Sequence, residues 1–224
     1  MCYKYYVVVA FTQCFVTPMT TSAAADISPR ERVIRLAKSQ GILRPQDLKA
    51  IDVPREYLRR LRDEGVLEQP SRGLYVLASS RPTEYQSLVE VCKRVPQGVI
   101  CLISALQFHA FTTQMGHEVW IALPTKAWAP TLDSPRLRVM RYSPTTLAYG
   151  VEERRFGGAV VRVFNPAKTV ADCFKFRNKV GLDVALEALR DAIRERKATR
   201  DAIWKAAQVC RVANVMRPYL ESLA

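Results

Sequence analysis

The chain has only two histidines among 224 residues, His109 and His117, and their spacing of eight matches no helical pair of metal ligands. It has no Cys-x-x-Cys pair. Its six cysteines, Cys2, Cys14, Cys92, Cys101, Cys173 and Cys210, are scattered through apolar runs. A disulfide framework or a zinc ribbon needs closer spacing, so the expectation is buried, reduced thiols of a cytosolic protein, with no metal. Beyond the first residues no stretch reaches the roughly 18 apolar residues of a membrane span. No glycine-rich loop leads from a strand into a helix, so a phosphate cradle is missing as well. Gly157-Gly158 belongs to a hairpin pattern and runs on into a strand.

A catalytic constellation is equally thin. Cys101 and Ser104 lie near His109, but Ser104 reads as a helix N-cap and Cys101 as part of an apolar run. No catalytic residue and no cofactor are expected. Glu152, Glu153, Asp172 and Lys175 are the residue types of a metal nuclease. They form a loose set, and a nucleic-acid enzyme with a targeting domain is the alternative it supports. A small-molecule sensor is a third reading, resting on Trp120, Trp128 and nearby aromatic residues that more often belong to a core.

What the chain has in excess is positive charge, with a formal net charge of +13. Such a surface suits polyanions or acidic partners. Residues 28–77 carry 11 basic and 7 acidic groups, and residues 78–224 carry 22 and 13. The excess is spread over both parts, so each needs an explanation.

Residues 1–27 differ from the rest. A short apolar run with a single lysine is followed by TPMTTSAAADIS. A signal peptide would have more charge at its start and no Thr12-Gln13 interruption. The expectation is a dispensable or mis-called extension, with the protein proper starting near Met19.

Residues 28–78 predict a winged helix-turn-helix. In SPRERVIRLAKSQG, Ser28 caps a helix, Pro29 takes its first position, Glu31 completes a capping box and Gly41 stops it. RPQDLKAI predicts a second, shorter helix. VPREYLRRLRDEG predicts a third, begun by Pro54 and ended by Gly65. At about 100° per residue, Tyr57, Leu58 and Leu61 share one arc of this helix. Arg55, Arg59 and Arg62 share the neighbouring arc, and Glu56, Arg60 and Asp63 take the remaining side. VLEQ and GLYVL then predict two strands joined by PSR and Gly73. In such a motif the third helix enters the major groove. Guanidinium forks suit phosphate oxygens and the O6/N7 edge of guanine. The expected contacts are Arg55, Arg59 and Arg62, then Arg60 and the wing residues Ser71 and Arg72. Arg60 can also pair with Glu56 or Glu64 at a spacing of four and be structural.

SSRPT at 79–83 predicts a polar hinge, and residues 84–224 a second, α+β domain with a small sheet and C-terminal helices. TEYQSLVEVCKRVP reads as a helix, and GVICLI as either a strand or a helix start. SALQFHAF reads as a helix from Ser104. HEVWIALP, RLRVMRYS and VEERRFGGAVVRVFN read as strands, the last split into a hairpin. Asn165 caps a helix in NPAKTVADCFKFRNKVG, and further helices close the chain. Lys168, Lys175 and Lys179 recur at near-helical spacing opposite Val170, Cys173 and Phe174, as a basic surface would.

Together, residues 28–221 resemble the AbiEi family, the antitoxins of type IV toxin–antitoxin systems. The resemblance rests on RGLYVL, GVICLISALQFHAFTTQ, HEVWIAL and VFNPAKTVADCFKFRNKVGLDVALEALRDA. It implies a cytoplasmic transcriptional autorepressor that binds inverted repeats in double-stranded DNA at its own promoter. It also implies an opposing partner, a nucleotidyltransferase-like toxin silenced without a stable complex. It assigns DNA contact to Arg55, Arg59, Arg62 and Arg72. Lys168, Asp172, Lys175 and Arg177 lie in the segment matching the antitoxin part and are the candidates for an antitoxicity surface.

Overall fold

Ser28 opens the first helix as its sequence predicts. Its Oγ accepts the Glu31 N–H at 3.2 Å, Pro29 takes the first position of α1 (Pro29–Gln40), and Gly41 ends it at φ 71°. A cap of this kind stabilises by about 1 kcal/mol. The Glu31 carboxylate turns instead to Arg35 at 3.1 Å. The computed structural model describes residues 27–80, 85–112, 118–128, 130–132, 134–156 and 159–223. The expected extension, His117, most of the 79–83 hinge and Gly157-Gly158 therefore lie outside the described residues.

β1 (Ile42–Leu43) follows α1. The expected second helix forms as a 3-10 turn over Asp47–Ile51. Asp47 accepts the Arg44 N–H at 2.8 Å, and Asp52 closes the turn at φ 50°. Five residues between those two stops leave too little chain for α-helical propagation. Next come α2 (Glu56–Asp63), β2 (Leu67–Ser71) and β3 (Leu74–Leu77). The three strands form an antiparallel sheet in the order β1–β3–β2, with Ile42 opposite Val76. Helix, strand, turn, helix and hairpin follow in the order expected of a winged helix. Val33, Ala37, Leu43, Leu48, Leu58, Leu61 and Leu67 close its core.

The second part is built on a five-stranded mixed sheet. α3 (Gln86–Arg94) leads to β4 (Val99–Ile100) and at once to α4 (Leu102–Phe108), so GVICLI is first a strand and then a helix start. Ser104 is not the N-cap. Its Oγ accepts the backbone N–H of Trp120 at 3.0 Å and ties α4 to β5 (Glu118–Pro124). β6 (Arg136–Tyr142) lies parallel to β5. α5 (Pro144–Ala148), capped by Ser143, was not expected. β7 (Val151–Phe156) and β8 (Ala159–Phe164) pair antiparallel. The strand order is β6–β5–β4–β8–β7, with the two-residue β4 at the centre, antiparallel to β5 and parallel to β8. The chain closes with α6 (Pro166–Lys175), α7 (Arg177–Val180), α8 (Leu182–Arg194), α9 (Arg200–Val209) and α10 (Ala213–Ser222).

Period-two alternation sorts the strand side chains between two layers. Trp120, Ala122, Met140, Tyr142 and Phe164 join the cluster of α4, α6, α8 and α9. Val119, Ile121, Leu123, Val161 and Val163 face the other way and join Leu88, Val89, Val91 and Cys92 of α3. That second cluster also contains Ile42, Leu74 and Val76 of the small sheet. The two sheets thus share one apolar cluster through α3. Cys92, Cys101, Cys173 and Cys210 are buried free thiols. No described helix is long and apolar enough to cross a membrane.

Candidate nucleic-acid interface

α2 is held from behind and open in front. Leu58 and Leu61 are each 1% exposed and lock one arc into the small core, while Arg55, Arg59, Arg60 and Arg62 are all exposed. Arg55 stands just before the helix and caps nothing with its side chain. Among the described residues Arg59 has only a long contact to Asp63, at 3.9 Å, and its side chain is 80% exposed. Arg60 pairs with Glu64 at 3.1 Å and sits 6.0 Å over the Tyr57 ring. Arg62 meets Asp63 at 2.8 Å and donates to Gln69 of β2 at 3.0 Å. Exposed pairs of this kind contribute about 0–1 kcal/mol, so exchanging them for phosphate oxygens costs little.

The hairpin tip divides its residues. Arg72 is exposed beside Gly73, whose φ of 75° makes the turn. Ser71 does not point outward as expected. Its Oγ accepts from Arg94 Nη2 at 2.5 Å and lies 3.5 Å from Glu90 Oε2, both on α3. Arg94 Nη2 also donates to the carbonyl of Arg72 at 3.1 Å. Residues 31–78, which hold these elements, match the family described as "Transcriptional regulator, AbiEi antitoxin". The match lies within the N-terminal unit and does not extend into the second part of the chain. Among solved structures, the chain is similar to the RV2827C protein from Mycobacterium tuberculosis, with a TM-score of 0.52 and 16% identity over 86% of this chain and 80% of that one. At such identity the likeness concerns the fold alone. No curated protein matches the chain.

The N-terminal unit does not stand alone. Arg44 donates to the carbonyl of Lys93, and Lys93 Nζ reaches Gln40 Oε1 at 3.0 Å and Asp47 at 3.9 Å. Burial lowers the Lys93 ammonium pKa, with Asp47 opposing that shift. Burial likewise pushes the Glu90 carboxyl up, against Gln86, Arg94 and Ser71. Sequence reasoning missed Glu90, Lys93 and Arg94. The available signal was the Glu90–Arg94 spacing of four, with Glu90 set inside the apolar run Leu88–Cys92.

The candidate antitoxicity surface needs correction. Lys168 and Asp172 are both 0% exposed and cannot belong to any surface. Lys168 Nζ lies 2.5 and 2.6 Å from the two Asp172 oxygens, under the rings of Tyr142 and Phe164 at 4.9 and 4.4 Å. Cys210 Sγ adds a bond to Asp172 Oδ1 at 3.3 Å. The Tyr142 hydroxyl is buried near enough to Asp172 to affect its ionisation, without a hydrogen bond of good geometry. Burial raises the Asp172 pKa, and Lys168 opposes the shift. Of the four candidates, Lys175 is exposed and Arg177 half-buried, donating to the carbonyl of Phe174 at 3.0 Å.

The nuclease set is not assembled either. Asp172 is sealed, Glu152 pairs with Arg154 at 2.9 Å and Glu153 with Arg162 at 3.9 Å. Among the described residues, no group of three or more His, Cys, Asp or Glu is placed to hold a metal. His109 is half-buried, its Nε2 donates to the carbonyl of Phe164 at 2.7 Å, and burial lowers its pKa. Trp120 is 6% exposed and Trp128 77% exposed, so one is core and the other surface.

Proposed function

We propose that the protein is a DNA-binding autorepressor and antitoxin of a type IV toxin–antitoxin operon, acting in the cytoplasm. Residues 28–78 are the DNA-reading head, and residues 84–224 carry the antitoxin role against a nucleotidyltransferase-like toxin, without a stable complex. The observation that carries this reading is the open arginine edge of α2, anchored by Leu58 and Leu61 in a segment that matches AbiEi-type regulators. Arg55, Arg59 and Arg62 meet the duplex in the major groove, and Arg72 meets an adjacent phosphate. Inverted repeats upstream of the gene are the expected operator. Lys175 is the remaining exposed candidate on the antitoxin side.

The test is binding to a duplex from the protein's own upstream region across a salt series. Each phosphate neutralised adds about 0.9 to the slope of log affinity against log salt. Arg59→Ala with Arg62→Ala is expected to weaken binding and flatten that slope by roughly 2. A double variant that matches wild type throughout rejects α2 as the reading helix.

A further inference from the structure

We propose that Arg94, on the second domain, is a positioning residue for the DNA-binding wing, and that it acts through Ser71 and Arg72. This rests on the DNA-binding reading above. Glu90 and Arg94 are one turn apart on α3 and carry opposite charges. They meet across a hydroxyl that belongs to the other sheet. One Arg94 nitrogen donates to Ser71 Oγ at 2.5 Å, and Ser71 Oγ lies 3.5 Å from Glu90 Oε2. Gln86 Nε2 holds the other Glu90 oxygen at 3.4 Å. The same Arg94 nitrogen reaches the Arg72 carbonyl at 3.1 Å. A charged donor thus grips two successive residues at the tip of the hairpin. Hydrogen bonds of this charge-assisted kind are roughly twice as strong as neutral ones.

Short hairpins are marginal by themselves and take their position from what they pack on. This one rests on α3, through Leu74 and Val76 below and the Arg94–Ser71–Glu90 chain above. Arg72 is left exposed, with its carbonyl held by Arg94 and its guanidinium unpaired among the described residues. Arg94 therefore sets where the Arg72 charge is presented relative to α2. Its own side chain is half-buried and turned to the hairpin, so it touches no phosphate itself.

The test compares wild type, Arg94→Ala, Arg94→Lys, Arg72→Ala and the Arg94→Ala/Arg72→Ala double variant of the full chain. Hydrogen exchange of residues 67–77 is measured without DNA, and affinity for the upstream duplex across a salt series. Arg94→Ala is expected to speed exchange in the hairpin and weaken binding by about tenfold. Its salt slope should stay near wild type, whereas Arg72→Ala should lose about 0.9. Arg94→Lys should restore part of both. Once Arg72 is gone, removing Arg94 should add little. Additive losses, or a slope that falls as far as with Arg72→Ala, would make Arg94 a direct phosphate contact and overturn the proposal. Unchanged hairpin exchange in Arg94→Ala would overturn it too. If wild type binds no upstream DNA, the DNA-binding reading fails, while the exchange arm still decides whether Arg94 holds the hairpin.

Discussion

Lys168 and Asp172 form an ion pair without solvent access, one turn apart on α6, with Nζ 2.5 Å from Oδ1. Breaking a buried pair from one side leaves an uncompensated charge. Asp172→Asn is expected to cost about 3–5 kcal/mol, whereas replacing both partners with Lys168→Met and Asp172→Leu is expected to be near neutral or stabilising. Urea unfolding followed by circular dichroism separates the two cases. A single variant within about 1 kcal/mol of wild type would mean that the pair opens to water.

Gly150 bears on the same pair. It has φ 71°, and a Cβ there would lie 2.9 Å from Lys168 Cβ. Gly150→Ala combines backbone strain with that contact, so a loss of about 1–3 kcal/mol is expected. Thermal melting checks it, and an unchanged midpoint would show that the β7 entry relaxes freely.

How much of this was legible depends on range. Ser28 and Asn165 cap helices as read, because each needs only a side-chain oxygen and a backbone N–H three residues on. The arginine edge of α2 was legible from helical spacing alone. Lys168 was not, because its charge argued for a surface. The sign was in its neighbours: Thr169, Val170, Ala171, Cys173 and Phe174 are all buried, so α6 is enclosed on every side. A helix of that kind with only two charges in its middle, four apart, buries them as a pair. Ser71 misled for another reason: its partners, Glu90 and Arg94, are 19 and 23 residues away. No local rule reaches that far.

The three α2 arginines should not weigh equally. Arg60 already faces Glu64, which also meets Arg30 at 3.5 Å. Arg59→Ala is therefore expected to lower the salt slope of DNA binding by about 0.9, and Arg60→Ala by clearly less. Titrations of the single variants by fluorescence anisotropy decide this. Equal slopes would place Arg60 on the duplex beside Arg59.

Glu90 supplies a pH test. Its folded pKa is raised by burial, so the protonated form stabilises the fold. That contribution is complete below the unfolded value of about 4.3 and disappears as pH rises through the folded value. Glu90→Gln keeps a neutral acceptor for Ser71 at every pH. Its advantage in melting temperature over wild type is expected to grow from acid toward neutral pH and then level off. A difference that does not vary with pH would show that Glu90 titrates normally.

Deleting residues 1–80 would strip Ile42, Leu74 and Val76 from the cluster they share with α3. The remaining fragment is expected to bind a hydrophobic dye and to aggregate more readily than the full chain. Light scattering and dye fluorescence at matched concentration test this. A monodisperse, dye-negative fragment would show that the second domain closes its own surface.

The footing of the hairpin on α3 carries a thermodynamic corollary. Coupling between two binding events on one molecule is reciprocal. On the proposed DNA-binding reading, any molecule that shifts α3 by engaging the five-stranded sheet would alter the grip on the operator. By the same factor, occupancy of the operator would alter how tightly that molecule is held. Promoter and toxin control, if both reach α3, would be one balance weighed from two ends.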